Sequence, residues 1–181
     1  MPDRFTDNAE KALGAAYTAA RKLGHTSVGS EHLLLGLLSR SDSIAAKLLD
    51  KHGITFDGMR DLVIKACGVG DETEENIDMS PRAKRILQNS SAEAVSTSQN
   101  YIGTEHILMA ILHEGDCLAV KLLEKEGVDL EELYAQTSTV ACGFEPSGMQ
   151  APKNSEKNAS AGKTIWSRTK YSKEVLMPLK L

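Results

Sequence analysis

Three observations predict an all-α fold for these 181 residues. Hydrophobic residues make up 41% of the chain but aromatics only 4%, so the core must be filled with aliphatic side chains, chiefly Leu and Ala, which favour helix. Apolar residues recur at three- and four-residue spacing, and no alternating pattern is comparably strong. The sequence also repeats itself: shifted by 74 residues, Phe5–Met59 aligns without a gap on Met79–Leu133. The identical pairs include Ala9/Ala83, Leu13/Leu87, Gly29/Gly103, Glu31/Glu105, His32/His106, Asp42/Asp116, Leu49/Leu123 and Gly53/Gly127. Agreement is densest where V-G-S-E-H-L-L-L-G-L-L meets I-G-T-E-H-I-L-M-A-I-L.

Each repeat reads as four helices. The first begins at Thr6, carries Ala9, Ala12, Leu13, Ala16, Ala20 and Leu23 on one stripe, and closes at Gly24. Its counterpart opens with Ser80 as N-cap and Pro81 at the first helical position. The second helix follows a glycine, with Ser30 or Thr104 expected as N-cap and Glu31 or Glu105 in the first turn, where the helix dipole favours an anion. It is apolar almost all round, which predicts a central, buried helix. A third helix is expected from about Ser43 to His52 and from Cys117 to Glu126, stopped by Gly53 and Gly127. The fourth runs from about Phe56 to Cys67 and from about Asp129 to Cys142.

These elements predict a domain over 1–143: repeat one at about 3–68, a solvated acidic linker at 69–78 containing D-E-T-E-E-N, and repeat two at about 79–143. Residues 144–181 read as a flexible linker and a tail without clear period.

Charge and composition narrow the function. The net charge of −4 divides into 14 Lys+Arg against 22 Asp+Glu in 1–143 and 7 against 3 in 144–181, a poor pattern for binding nucleic acid. No stretch approaches 18 consecutive apolar residues and the N-terminus lacks the apolar segment of a signal peptide, so no membrane partner and a cytoplasmic location are expected. The three cysteines, Cys67, Cys117 and Cys142, form no C-x-x-C pair, which fits a reducing compartment. Cys67 and Cys142, at the ends of the fourth helices, are expected as core-packing thiols, with redox sensing as the alternative.

No motif predicts catalysis, a metal or a cofactor. Gly162-Lys163-Thr164 resembles the end of a phosphate-binding loop, but Lys157 stands where that loop needs glycine and no apolar strand precedes it. The five histidines contain no H-x-x-x-H pair, and His32 and His106 read as structural. No G-x-S-x-G elbow occurs. What stands out is Glu31 and Glu105. One account has them merely complementing the helix dipole, worth roughly 0.3–1 kcal/mol. The other makes each a two-part site, in which the carboxylate accepts a guanidinium fork while N–H groups and hydroxyls hold an anion.

At these residues the chain resembles the N-terminal domain of the Clp ATPases, closest to the ClpC type. The resemblance rests on R-F-T-D-N-A-E-K-A-L, L-G-H-T-S-V-G-S-E-H-L-L-L-G-L-L, S-P-R-A-K-R-I-L and Y-I-G-T-E-H-I-L-M-A-I-L-H-E-G-D, and covers about residues 3–143. It implies a pseudo-twofold domain of two tandem four-helix repeats that receives substrates and docks adaptors for a hexameric unfoldase and its peptidase. It further implies two equivalent sites for phosphoarginine, with Glu31 and Glu105 on the guanidinium side. Thr6, Ser30, Ser80 and Thr104 are the implied phosphate-side donors. Met79, Arg82, Lys84 and Gln88 fall on the surface where such domains accept adaptors, although the family commonly has an aromatic where Met79 stands. The family's ATPase modules are not matched, so the chain is expected to be a binding module without enzymatic activity. The alternative is a stand-alone accessory that docks on a Clp assembly without reading marked substrates.

Overall fold

The computed structural model describes residues 4–71 and 76–143. Eight helices are found among them, and their limits follow from the side chains at their ends. Thr6, Ser80, Ser43, Thr55 and Asp129 each accept a hydrogen bond from the backbone N–H three residues on, at 3.0–3.3 Å. These caps open α1 (Asp7–Lys22), α5 (Pro81–Ser96), α3 (Ile44–Lys51), α4 (Phe56–Cys67) and α8 (Leu130–Ala141). The remaining helices are α2 (Ser30–Leu38), α6 (Thr104–Glu114) and α7 (Leu118–Lys125). Gly24 ends the turn after α1 at φ 68°, and its neighbour in space is the backbone of Gly70, which leaves no room for a side chain. Its counterpart in repeat two is Ser98, which adopts φ 59° despite carrying a side chain.

The predicted central helices lie at the centre. Every residue of α2 from Ser30 to Leu38 is buried except Glu31, and every residue of α6 from Thr104 to Leu112 except Glu105. Leu33, Leu34, Leu35, Leu37, Ile107, Leu108, Ile111 and Leu112 are among the most enclosed side chains, and one continuous apolar cluster joins both repeats. Against α2 lies the alanine seam of α1: Ala9, Ala12, Ala16 and Ala20 are all buried. Gly36 meets the carbonyl of Ala12 there so closely that a Cβ would overlap it, which brings the two helices nearly backbone to backbone.

Two short pairings were not evident in the sequence. β1 (Ser27–Val28) runs parallel to β2 (Asp78–Met79), with Ser27 opposite Asp78 and Val28 opposite Met79. An isolated parallel bridge joins Phe5 to Ile102. Ser80 N donates to Val28 O at 3.0 Å, and Thr6 N donates to Ile102 O at 2.9 Å. The start of α5 is thereby fixed beside the start of α2, and the start of α1 beside that of α6. A two-residue strand leaves no period to read, so only the folded chain reveals it.

Other expectations are corrected. Ser30 and Thr104 do not cap; Gly29 and Gly103 hold the extended N-cap position, and the hydroxyl residues are the first of their helices. Cys67 and Cys142 are exposed, and Cys117 is the buried thiol. The apolar stripes of α4 and α8 end before these last residues, which point past the core. The predicted 69–78 linker is partly built into the fold: Gly70 N donates to Leu23 O at 2.8 Å, and Ile77 is buried. The expected flexible segment 144–181, with Gly162-Lys163-Thr164, lies outside the described residues.

Candidate functional site

The G-S/T-E-H tetrads assemble the candidate site, and each residue has a separate task. The glycine supplies an extended N-cap with no Cβ. A Cβ at Gly29 or Gly103 would overlap the carboxylate of Glu31 or Glu105, which folds back over it. The histidine, three residues on, receives the glycine's N–H on Nδ1, at 2.9 Å for Gly29 to His32 and 3.0 Å for Gly103 to His106. This is the side-chain half of a capping box with imidazole as acceptor.

Each imidazole is held in that tautomer from behind. His32 Nε2 lies 2.8 Å from His25 Nδ1, and His25 Nε2 lies 3.0 Å from the carbonyl of Gly68. A carbonyl only accepts, so the hydrogen bonds run in one direction from Gly29 N through His32 and His25 to Gly68 O. Burial pushes His32 down to about 4, and the neighbouring His25 adds to the effect. In repeat two, His106 Nε2 is 2.8 Å from the Thr97 hydroxyl, which donates to the Glu93 and Ala94 carbonyls at 3.2 and 3.1 Å. Burial also lowers His106, against the opposing pull of Glu105 and Glu93. Both histidines are thus structural, as expected.

The hydroxyls of Ser30 and Thr104 reach across the molecule. Ser30 Oγ accepts from Ala119 N at 3.3 Å at the start of α7, and Thr104 Oγ1 accepts from Ala45 N at 3.4 Å at the start of α3. Each also donates to its following glutamate, Ser30 to Glu31 Oε2 and Thr104 to Glu105 Oε2, both at 3.4 Å. The glutamate side chains are only 14% exposed. Glu31 Oε1 stands 3.3 Å from His32 Nδ1, but that nitrogen is already an acceptor for Gly29, so no ion pair forms.

Around Glu105 an open cleft of about 520 Å³ is lined by Thr6, Asp7, Asn8 and Lys11 of the α1 start, Asp42 and Ile44 before and in α3, and Thr104. Three helix N-termini, those of α1, α3 and α6, converge on it. The same convergence recurs at Glu31 with α5, α7 and α2, held by the Ser80–Val28 and Ala119–Ser30 bonds and by Arg82 donating to the carbonyl of Asp116. Helix N-termini present N–H groups to an anion, and a carboxylate beside them accepts a guanidinium. Thr6 therefore joins Thr104 and Glu105, while Ser80 lies with Ser30 and Glu31. Each site takes parts from both repeats. Thr6 and Ser80 accept their own cap bonds, and a hydroxyl that accepts still has a proton to donate.

The four residues expected on an adaptor surface divide. Met79 is half-buried on β2; Lys84 pairs with Asp78 at 2.8 Å, holding that carboxyl below its usual range; Gln88 is exposed one turn further along α5. Arg82 turns the other way, to Asp116 O and to Glu114, 3.7 Å from its Nε. Missed in the sequence were Asp42 and Asp116, identical in the repeat alignment, and the contrast of Asn8 with Arg82 at equivalent positions. Among the described residues, no group of three or more metal-ligating side chains occurs and no helix is long and apolar enough to cross a membrane.

With this geometry in hand, comparison with known proteins is direct. The profile of the Clp repeat (R) N-terminal domain matches residues 4–126 and 78–147. The chaperone protein ClpB of Oceanobacillus iheyensis is 36% identical over 161 residues, covering 88% of this chain and 20% of the relative. The negative regulator of genetic competence ClpC/MecB of Bacillus subtilis is 36% identical over 158 residues, covering 87% and 20%. This chain therefore spans about one fifth of the length of these curated relatives. The crystal structure of the N-terminal domain of ClpD from Arabidopsis thaliana superposes with a TM-score of 0.66 at 26% identity, covering 77% of this chain and 96% of that one. The duplicated sequence, the eight-helix architecture and these matches agree: the chain belongs to the Clp repeat N-terminal domain family.

Proposed function

We propose that this domain is the substrate- and adaptor-receiving module of a ClpC-type unfoldase in ATP-dependent proteolysis, reading phosphoarginine at the Glu31 and Glu105 sites. One observation carries the reading. Glu31 and Glu105 occupy equivalent positions, each mostly buried: Glu105 faces the cleft where α1, α3 and α6 begin, and Glu31 stands at the start of α2, to which the starts of α5 and α7 are bonded. A helix-dipole role alone would not require a glycine beneath each carboxylate, nor hydroxyls drawn across the repeat boundary. The carboxylate suits a guanidinium, and the N-termini with Thr6 and Thr104, or Ser80 and Ser30, suit its phosphoryl group. Two sites per domain raise avidity for proteins marked more than once. Met79, Lys84 and Gln88 are the proposed adaptor face, and the setting is a reducing cytoplasm or its organellar equivalent.

Calorimetric titration of the purified chain with free phosphoarginine tests the reading. Saturable binding approaching two per chain, lost in the Glu31→Gln, Glu105→Gln double variant with its helical circular dichroism retained, is the expected result. A folded chain that binds no phosphoarginine would leave docking on a Clp assembly as the better account.

A further inference from the structure

The two sites share a plan but differ where the phosphoryl group must lie, and the geometry points to different ligand preferences: the Glu31 site favours the phosphorylated side chain more strongly, whereas the Glu105 cleft accepts an unmodified arginine side chain more readily. This inference rests on the guanidinium reading above. The repeats are related by an offset of 74 residues, so Arg82 in the first turn of α5 corresponds to Asn8 in the first turn of α1, and Pro81 to Asp7. The helix start opposite Glu31 thus carries a cation, and the helix start opposite Glu105 carries a carboxylate and an amide.

Arg82 Nη1 donates to the carbonyl of Asp116, and its Nε pairs at 3.7 Å with Glu114, a carboxylate whose two oxygens Arg85 also holds, so two guanidinium groups share one carboxylate there. Arg82 is 46% exposed, so it can reorient toward a bound anion. In the Glu105 cleft the available cation is Lys11, four residues after Asp7 on one face of α1, so their charges offset each other. Asp42 is paired with Arg40 at 3.3 Å, and its equivalent Asp116 with Lys121 at 3.1 Å, so these contribute alike to both clefts. What remains is Glu105 alone in one cleft, and Glu31 with Arg82 in the other. A bare guanidinium is attracted by the first and meets a like charge in the second. A phosphorylated one, with positive and negative ends, matches the second. Arg82 and Asn8 are the residues that set this difference.

Two single-site proteins separate the clefts: Glu105→Gln leaves that of Glu31, and Glu31→Gln leaves that of Glu105, the amide keeping the shape that packs on the capping glycine. Each is titrated with free phosphoarginine and with free arginine, with circular dichroism as the check on folding. The expected preference for phosphoarginine over arginine is about twofold to fivefold greater in the Glu31 site, the order set by one exposed charge. Arg82→Asn in the Glu105→Gln protein lowers it to the value of the other cleft, and Asn8→Arg in the Glu31→Gln protein raises it. Equal preferences, or no change with Arg82→Asn, overturn the inference while the two-site reading stands. If neither cleft of a folded protein binds either compound, the reading falls together with the inference.

Discussion

Gly103 shows how a single missing methyl positions a carboxylate. A Cβ there would overlap the carboxylate of Glu105, so Gly103→Ala is expected to turn that side chain aside at little packing cost, because only its mobile end stands in the way, and to lower stability by about 1 kcal/mol through the poorer N-cap. Thermal denaturation checks the stability, and phosphoarginine titration should show the Glu105 site weakened with the Glu31 site intact. His32 behaves differently, because its effect depends on pH. Its value falls from 6.5 to about 4 in the fold, so between those limits the unfolded chain binds a proton that the native chain refuses. The stability present above about pH 6.5 is therefore lost as pH falls toward 4, by up to about 3 kcal/mol. The groups facing its ring are His25 at 2.8 Å and Glu31 at 3.3 Å, and buried His106 acts in the same direction. Melting temperatures measured from pH 7 to 4 should fall less steeply for His32→Gln than for the native chain, although the variant starts lower for want of the relay to His25.

At the scale of the element, most of the structure was legible from periodicity and caps. Thr6, Ser43, Ser80 and Asp129 stand where local chemistry puts a helix start, because an N-cap bond spans only three residues. The starts of α2 and α6 misled for a physical reason: Ser and Thr look like caps, but here the glycine before them holds the cap position and their hydroxyls bond to the opposite repeat. The turn after α5 carries a cost that its counterpart avoids. Ser98 sits at φ 59° where repeat one has Gly24 at 68°. Ser98→Gly is expected to stabilise the domain by about 1 kcal/mol, read as a rise in the urea midpoint with an unchanged slope. Repeat two also buries a charge that repeat one lacks: Glu93, 3% exposed, receives His113 at 2.9 Å and the Tyr134 hydroxyl at 3.1 Å, while its equivalent is Ala19.

For the molecule as a whole, the duplication does not make two independent domains. The apolar cluster is continuous, the N-termini of α1 and α5 are tied to strands of the other repeat, and both candidate sites borrow a helix start from across the boundary. A fragment of residues 1–76 is therefore expected to lack a cooperative thermal transition, whereas 1–143 retains one. Circular dichroism melting of the two fragments checks this, and independent folding of residues 1–76 would show that the cross-repeat contacts are dispensable.

The sequence by itself determined the helical class, the repeat and the order of eight helices, because these depend on local period and caps and on self-similarity at a fixed offset, and it singled out Glu31 and Glu105 as candidates. The tertiary structure alone decided which helix starts meet. Thr6 belongs with Glu105 across about a hundred residues of chain, Arg82 with Asp116 near Glu31, and the cysteines ending α4 and α8 fall outside the core. The physical reason is that self-similarity reveals two equal halves but not how they face each other. That is fixed by two short parallel pairings and two hydroxyl bonds between residues far apart in the chain, none of which leaves a periodic trace.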